Sequence, residues 1–253
     1  MKKSNLLNSL ILAALVVPGM AIAADVETTE HKEGKHVIPA SAHTVTSNIG
    51  LVSNYLYRGV SQTGDKAAIQ GGFDYAHASG FYAGAWGSSI SWLVDLGLYN
   101  SSSLELDTYA GFKAGIAEDV SYDVGFLRYN YPGEYIDPQI TANTNELYGA
   151  LSWKMLTAKY SRSFTNLFGT ADSKGSGYAE LNASYSLADA GVTLGAHYGK
   201  QTVAGTGNSG STYSDYNLKA SKDFSGYTLG LMLSKTNIKG EKSKGVVFVT
   251  HAF

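Results

Sequence analysis

From Thr44 to the C-terminus, apolar and polar side chains alternate with a period of two, and this pattern restricts the chain to β-structure. Leu104, Leu106, Thr108, Ala110, Phe112 and Ala114 share one face, and Glu105, Asp107, Tyr109, Gly111 and Lys113 share the other. The same alternation places Val120, Tyr122, Val124 and Phe126 opposite Ser121, Asp123 and Gly125. It recurs around Leu147, Leu151 and Trp153, around Ala179, Leu181 and Ala183, around Tyr216 and Leu218, and around Leu229, Leu231 and Leu233. The predicted strands are 44–57, 67–77, 81–89, 104–114, 120–130, 145–155, 157–165, 177–186, 192–200, 214–223, 227–236 and 245–253.

The connections decide between architectures. Ala78-Ser79-Gly80, Gly115 to Asp119, the Met155–Thr157 corner, Leu187 to Gly191 and Phe224 to Gly226 are short. The links 58–66, 90–103, 131–144, 166–176, 201–213 and 237–244 are longer, and the two kinds alternate throughout. A barrel with short turns at one end and long loops at the other produces this rhythm. A soluble sandwich has no reason to sort loop length by end. The expected fold is therefore all-β: a transmembrane antiparallel up-and-down β-barrel of about twelve strands. The alternative, a soluble barrel with an apolar interior, is disfavoured by size. An eight-stranded barrel is already just filled by side chains, and diameter grows with strand number.

The N-terminal region fits export. Lys2 and Lys3 precede an apolar run from Leu6 to Val17, then Pro18-Gly19 and Ala21-Ile22-Ala23, the layout of a signal peptide over 1–23. Removing those 23 of 253 residues leaves 230, enough for one barrel. Residues 24–43 read as a flexible periplasmic leader. Its His31, His36 and His43, with Glu30 beside them, match no compact metal-ligand spacing and are expected to be a solvated tail. The chain has no cysteine, so an oxidising compartment contributes no disulfide to its stability. Without Lys2 and Lys3 it carries 17 basic and 21 acidic residues, which argues against a nucleic-acid partner.

With the termini on the short-turn side, the barrel of 44–253 has its long loops outside the cell. Arg128, Arg162 and Lys235 interrupt the apolar face only at the long-loop ends of their strands, where they can snorkel toward lipid or lipopolysaccharide headgroups. Tyr55, Tyr57, Tyr160 and Trp153 are expected in the aromatic girdles. The last strand, with Val247, Val249, His251 and terminal Phe253 on one face, is a candidate signal for the barrel-assembly machinery.

The polar face supplies the candidate pore lining: Asp74, Glu105, Asp107, Asp123, Glu146, Glu180 and Asp215, with Lys113, Lys154, Lys159 and Lys219, and Arg58 near the outer rim. Such a wall holds water, and its excess of acids biases it toward cations. Arg58 has two readings, an anion-binding group at the pore mouth or a structural partner of a nearby acid; the second is preferred. The apolar segment Trp92-Leu93-Val94, followed by Leu96, is expected to fold inward.

Other signals carry little chemistry. Gly205-Thr206-Gly207-Asn208-Ser209-Gly210 spells a dinucleotide fingerprint, but it lies between strands with no βαβ unit. There is no G-x-S-x-G elbow, and His77, His197 and His251 are not placed beside a nucleophilic serine. No enzymatic activity and no cofactor are expected.

Several blocks are recognisable. Ser53-Asn54-Tyr55-Leu56-Tyr57-Arg58-Gly59-Val60-Ser61-Gln62 resembles the first block of the TorF porin family. Ala68 to Tyr75, Gly80 to Ser88, Glu105 to Gly111, Tyr131-Pro132-Gly133 and Glu146 to Gly149 are similar to its continuation, in order. The resemblance implies an outer-membrane barrel with a pore; the polar lining adds the expectation that it passes small hydrophilic solutes passively, after export through the periplasm. The alternatives are a closed barrel acting as a structural or adhesive surface protein and, less favoured, an outer-membrane hydrolase.

Overall fold

The computed structural model describes residues 41–137 and 141–253. The signal peptide and most of the leader lie outside them. Twelve antiparallel strands close into one barrel. They are β1 (His43–Val52), β2 (Ala68–His77), β3 (Phe81–Ser89), β4 (Leu104–Ala117), β5 (Val120–Asn130) and β6 (Thr144–Trp153). The second half is β7 (Leu156–Ser163), β8 (Gly177–Leu187), β9 (Val192–Thr202), β10 (Tyr213–Phe224), β11 (Tyr227–Thr236) and β12 (Lys244–Ala252). Each strand pairs with its sequence neighbours. β1 and β12 close the ring, running from Asn48 opposite Ala252 to Val52 opposite Phe248. A closed ring has no free edge, so every strand's backbone groups find partners within the wall.

The short and long connections segregate to opposite ends, as the sequence predicts. Most strand boundaries shift by one to three residues, and two of the differences change the reading of the lumen. β1 stops at Val52 rather than at 57, and β6 stops at Trp153 rather than at 155. Lys154 therefore leaves the wall: it occupies a two-residue turn at φ 51°, exposed, with its ammonium 5.4 Å from the Trp153 ring. It is not a lining residue.

The alternation resolves into an apolar exterior and a polar interior. Phe73, Leu147, Leu218, Leu231 and Leu233 face outward, each more than half exposed. Trp153 and Tyr160 also face outward, as expected. Glu105, Asp107, Glu146 and Asp215 face inward and are buried. A wall whose outer side is almost wholly apolar is a poor solute in water and a good one in hydrocarbon.

Inside, large rings lie flat over glycines of the neighbouring strand. Tyr109 is paired with Gly84, Tyr82 with Gly111, Tyr148 with Gly125, Trp86 with Gly72 and Phe248 with Gly230. At Gly84, Gly111, Gly125 and Gly230 a methyl group would collide with the facing ring, and at Gly72 it would collide with Ala85 O and crowd Trp86. The hydrogen side chain leaves the ring a shelf, the cross-strand device that pins register in curved sheets. It also keeps the rings against the wall, which preserves luminal space.

Candidate functional site: the lumen and its inward loop

Residues 53–67 turn off the end of β1 and enter the barrel. Leu56–Tyr57 pairs with Val60–Ser61 as a small hairpin whose tip is Arg58-Gly59. Both tip residues have positive φ (47° and 79°), the geometry of a tight hairpin turn. The base is fastened by Asn54, which accepts from Ser61 Oγ at 2.7 Å and donates to Asp65 Oδ1 at 2.7 Å. Lys244, at the start of β12, donates to the same Asp65 oxygen at 2.7 Å. That bond holds the exposed Asp65 carboxyl below its ordinary pKa.

The tip reaches the opposite wall. Arg58 Nη2 donates to both Glu146 oxygens on β6, at 3.0 and 2.8 Å, and Nη1 donates to Gln201 Oε1 on β9 at 2.7 Å. Its guanidinium carbon sits 4.8 Å from the Tyr57 ring centre and 4.3 Å from that of Tyr178. The side chains of Arg58 and Glu146 are only 7% and 3% exposed. Gly59 packs so closely that an added Cβ would stand 2.7 Å from Asp215 Cβ and 2.7 Å from Thr236 Cγ2. Arg58 thus belongs to an inward loop rather than to the rim, and it has the structural acid partner that the sequence reading preferred. Tyr55 and Tyr57, expected in the aromatic girdles, instead stand in the lumen, because the chain leaves the wall before reaching them.

Other loops brace the hairpin. The backbone N–H groups of Ser91 and Trp92 donate to Gln62 O at 2.9 and 3.2 Å. The following short helix, α1 (Trp92–Asp95), buries Leu93 completely, while Val94 and Leu96 stay exposed. The inward fold expected of this segment therefore holds for Trp92 and Leu93. Phe168, from the connection after β7, lies edge-on to Tyr57 at 5.5 Å and to Tyr129 at 5.2 Å. Tyr57 and Tyr129 share a 2.8 Å hydroxyl hydrogen bond, and Tyr129 donates to Glu146 Oε2 at 3.3 Å.

The remaining inward charges form separate groups. Glu105 accepts from Tyr55 Oη at 3.2 Å, with Asp107 next on the same face. Tyr109 donates to Asp74, and Tyr82 bonds both Asp123, at 2.6 Å, and Tyr148. Lys113 is registered opposite Asp123, and Lys159 opposite Glu180. Lys219 lies 6.0 Å from the Phe248 ring centre. His197, not among the lining candidates, places Nδ1 2.6 Å from Asn182 Oδ1 and Nε2 3.0 Å from Asp215 Oδ1. Tyr178 completes that cluster at 2.8 Å from Asp215 Oδ2. The partners of His197 are the Asn182 amide, the Tyr178 phenol, the Asp215 carboxylate and, at 3.8 Å, the Glu180 carboxylate. Beside the hairpin a cavity of about 200 Å³ remains, lined by Arg58, Lys159, Glu180, His197, Asp215 and Lys219 among others. The glycine-rich segment 205–210 lies in the long connection after β9, with no α-helix following it.

Fold and site together define a closed, porin-like β-barrel with an apolar exterior and a polar lumen narrowed by a loop. The chain belongs to the Gcw_chp family, described as bacterial protein of unknown function, whose model matches residues 36–252. No curated protein matches the sequence. Among solved structures, it is similar to the outer membrane protein OprD of Pseudomonas aeruginosa, at 14% identity and TM-score 0.39 over 78% of this chain and 61% of that one. It is similar to OccAB4 of Acinetobacter baumannii at 12% identity and TM-score 0.42 over 85% and 63%. A porin refined at 1.8 Å resolution gives 10% identity and TM-score 0.41 over 83% and 100%. Likeness at this level leaves function to be read from the chain's own lumen.

Proposed function

We propose that this protein is a narrow, non-enzymatic channel of the outer membrane that passes small hydrophilic solutes passively. The observation that carries the reading is the polar lumen, which keeps a 200 Å³ cavity beside the inward hairpin instead of filling with apolar side chains. The exposed apolar exterior supports a membrane location, and the resemblance of 53–62 to the TorF porin family supports the channel reading. That block coincides with the inward hairpin. Of the lining candidates, seven inward acids face Arg58, Lys113, Lys159 and Lys219, which favours a weak preference for cations. The outward Val247 and terminal Phe253 of the last strand, both more than half exposed, are what the assembly machinery would read.

A second reading has its own support. The burial of Arg58 and Glu146 favours a hairpin that keeps the barrel shut, leaving the outer loops as a structural or adhesive surface. Single-channel recording of the refolded mature chain in planar bilayers separates the two. Discrete steps with a cation-biased reversal potential are expected of the channel. Anion bias would remove the selectivity claim. Silence from folded protein would favour the shut barrel.

A further inference from the structure

The outer wall carries a second pattern, in its charges. Every Asp and Glu of the barrel strands lies on the inward alternation, whereas Arg128, Arg162, Lys200, Lys222 and Lys235 lie on the outward one. All but Lys222 sit on β5, β7, β9 and β11, each within two residues of the strand's long-loop end, whereas Lys222, at the short-turn end of β10, donates to Ala190 O at 2.9 Å. Arg128 is partly engaged, donating to Asn130 Oδ1 at 2.6 Å and Asn145 Oδ1 at 3.3 Å. Arg162, Lys200 and Lys235 are exposed, and among the described residues none of their side chains has a hydrogen bond or an ion pair. They occupy alternate strands, so neighbouring cations stand on the order of 10 Å apart across the wall. Between Arg162 and Lys200 the intervening strand presents Gly177, opposite Arg162 and covered by the Tyr160 ring, and the small Ala179, opposite Lys200.

Directly toward the short-turn end lies an apolar groove of about 570 Å³ on the same wall. The cross-strand pair Ala183–Ala196 contributes small side chains, and Leu181, Tyr198, Tyr216 and Leu233 contribute large ones. Lys235 belongs to the same lining and is registered opposite Tyr216, which is registered opposite Tyr198. A row of unpaired cations at headgroup height, above a groove wide enough for hydrocarbon, matches one amphiphile: anionic phosphate groups spaced across a headgroup, with acyl chains running down the wall.

We propose that the β7–β11 wall is a binding site for a phosphorylated glycolipid of the outer leaflet. Arg162, Lys200 and Lys235 hold its phosphates, and the groove floored by Ala183 and Ala196 takes one acyl chain. The proposal goes beyond channel activity and rests only on the membrane placement of the barrel.

The test uses the full mature chain folded in detergent micelles and purified lipopolysaccharide, intact or enzymatically dephosphorylated, with binding read by native mass spectrometry and by titration. The expected result is tight binding of the intact form, much weaker binding of the dephosphorylated form, and loss in the variant Arg162→Gln, Lys200→Gln, Lys235→Gln. Basic residues near an anionic surface contribute roughly fivefold each, so the triple variant should bind on the order of a hundredfold more weakly. A control carrying Lys239→Gln and Lys242→Gln in the loop before β12 should bind as the parent does. Ala183→Leu should reduce affinity with the cations intact, which separates the groove from the charges. Equal binding of intact and dephosphorylated lipid, or a triple variant indistinguishable from the loop control, would overturn the proposal. Heat-modifiable migration of each variant, read separately, shows whether the barrel itself is still folded in a membrane mimic.

Discussion

Removing the carboxylate at Glu146 should release the hairpin, and the size of the effect follows from the burial of its partner. Arg58 and Glu146 are a nearly dehydrated pair, and deleting one member of such a pair typically costs about 3–5 kcal/mol, because the other charge is left buried without a counter-ion. Arg58 would keep the Gln201 hydrogen bond and the faces of Tyr57 and Tyr178, which places the expected cost near the lower bound, about 3 kcal/mol. The hairpin can avoid that cost by leaving the lumen, since its tip residues are joined to the wall only by side-chain contacts. At about 1.4 kcal/mol per factor of ten, the ratio of inserted to released hairpin should fall roughly a hundredfold in Glu146→Ala. Single-channel recordings should then show a larger mean conductance or a longer open time, with the barrel's heat-modifiable migration unchanged. Arg58→Ala should give a similar opening, and the double variant should add little to either single one, as expected for two groups that act through one contact. If folded Glu146→Ala, Arg58→Ala and parent protein gave the same conductance and gating, the hairpin would not be the constriction and the reasoning would fail.

Three further outcomes follow from the same geometry. Gly59→Ala puts a Cβ 2.7 Å from Asp215 and Thr236 at a φ of 79°; it should lift the tip by a cost of about 1–3 kcal/mol and be seen as increased conductance. Gly84→Ala and Gly111→Ala strike the rings of Tyr109 and Tyr82 and should each destabilise the barrel by about 1–3 kcal/mol in urea unfolding from liposomes. Gly149→Ala, whose nearest neighbour is Val124 Cγ1 at 4.0 Å, should show no such packing loss. The Asp65–Lys244 bond lowers the Asp65 pKa, so its contribution is complete above the ordinary aspartate range and fades as pH falls through the lowered value. Acid should therefore loosen the hairpin base, read as accelerated protease cleavage within 53–67, and Asp65→Asn should remove that pH dependence at this site.

The barrel wall was legible because its physics is local. Alternation at period two names the inward and outward side of each strand wherever one face is apolar, and the alternating connection lengths name the ends. That is why Glu105 and Asp107 fall on the lumen side, and why Arg162 and Lys235 fall on the lipid side at the long-loop ends. Lys200, on the same outward face, can be found by extending the alternation of β9 past Tyr198. Lys154 was misplaced because alternation carries no stop signal. A two-residue turn needs only one residue at positive φ here, and lysine is not a residue that announces it.

The hairpin was illegible for a different reason. Leu51, Tyr55 and Tyr57 continue the period of β1, so a reading based on alternation runs straight past Val52. The one local clue was a glycine inside the run, at Arg58-Gly59, flanked by two-residue apolar or polar pairs that can close on each other. Arg-Gly lacks the asparagine or aspartate that usually marks such a turn. The contacts that hold it inward have no local signature at all. Glu146 is 88 residues and Gln201 is 143 residues from Arg58 in sequence, and only closure of the ring brings them to the same height. The same closure explains how one wall hosts two unlike surfaces. Inside, bases meet acids across the lumen, as Arg58 does Glu146, or between adjacent strands, as Lys159 is registered opposite Glu180. Outside, no carboxylate shares the face with Arg162, Lys200 and Lys235, so those charges can be satisfied only by something other than the protein. A chain built solely to pass solutes needs the first arrangement and gains nothing from leaving three cations unpaired at one height; a barrel that also binds the lipid around it needs both.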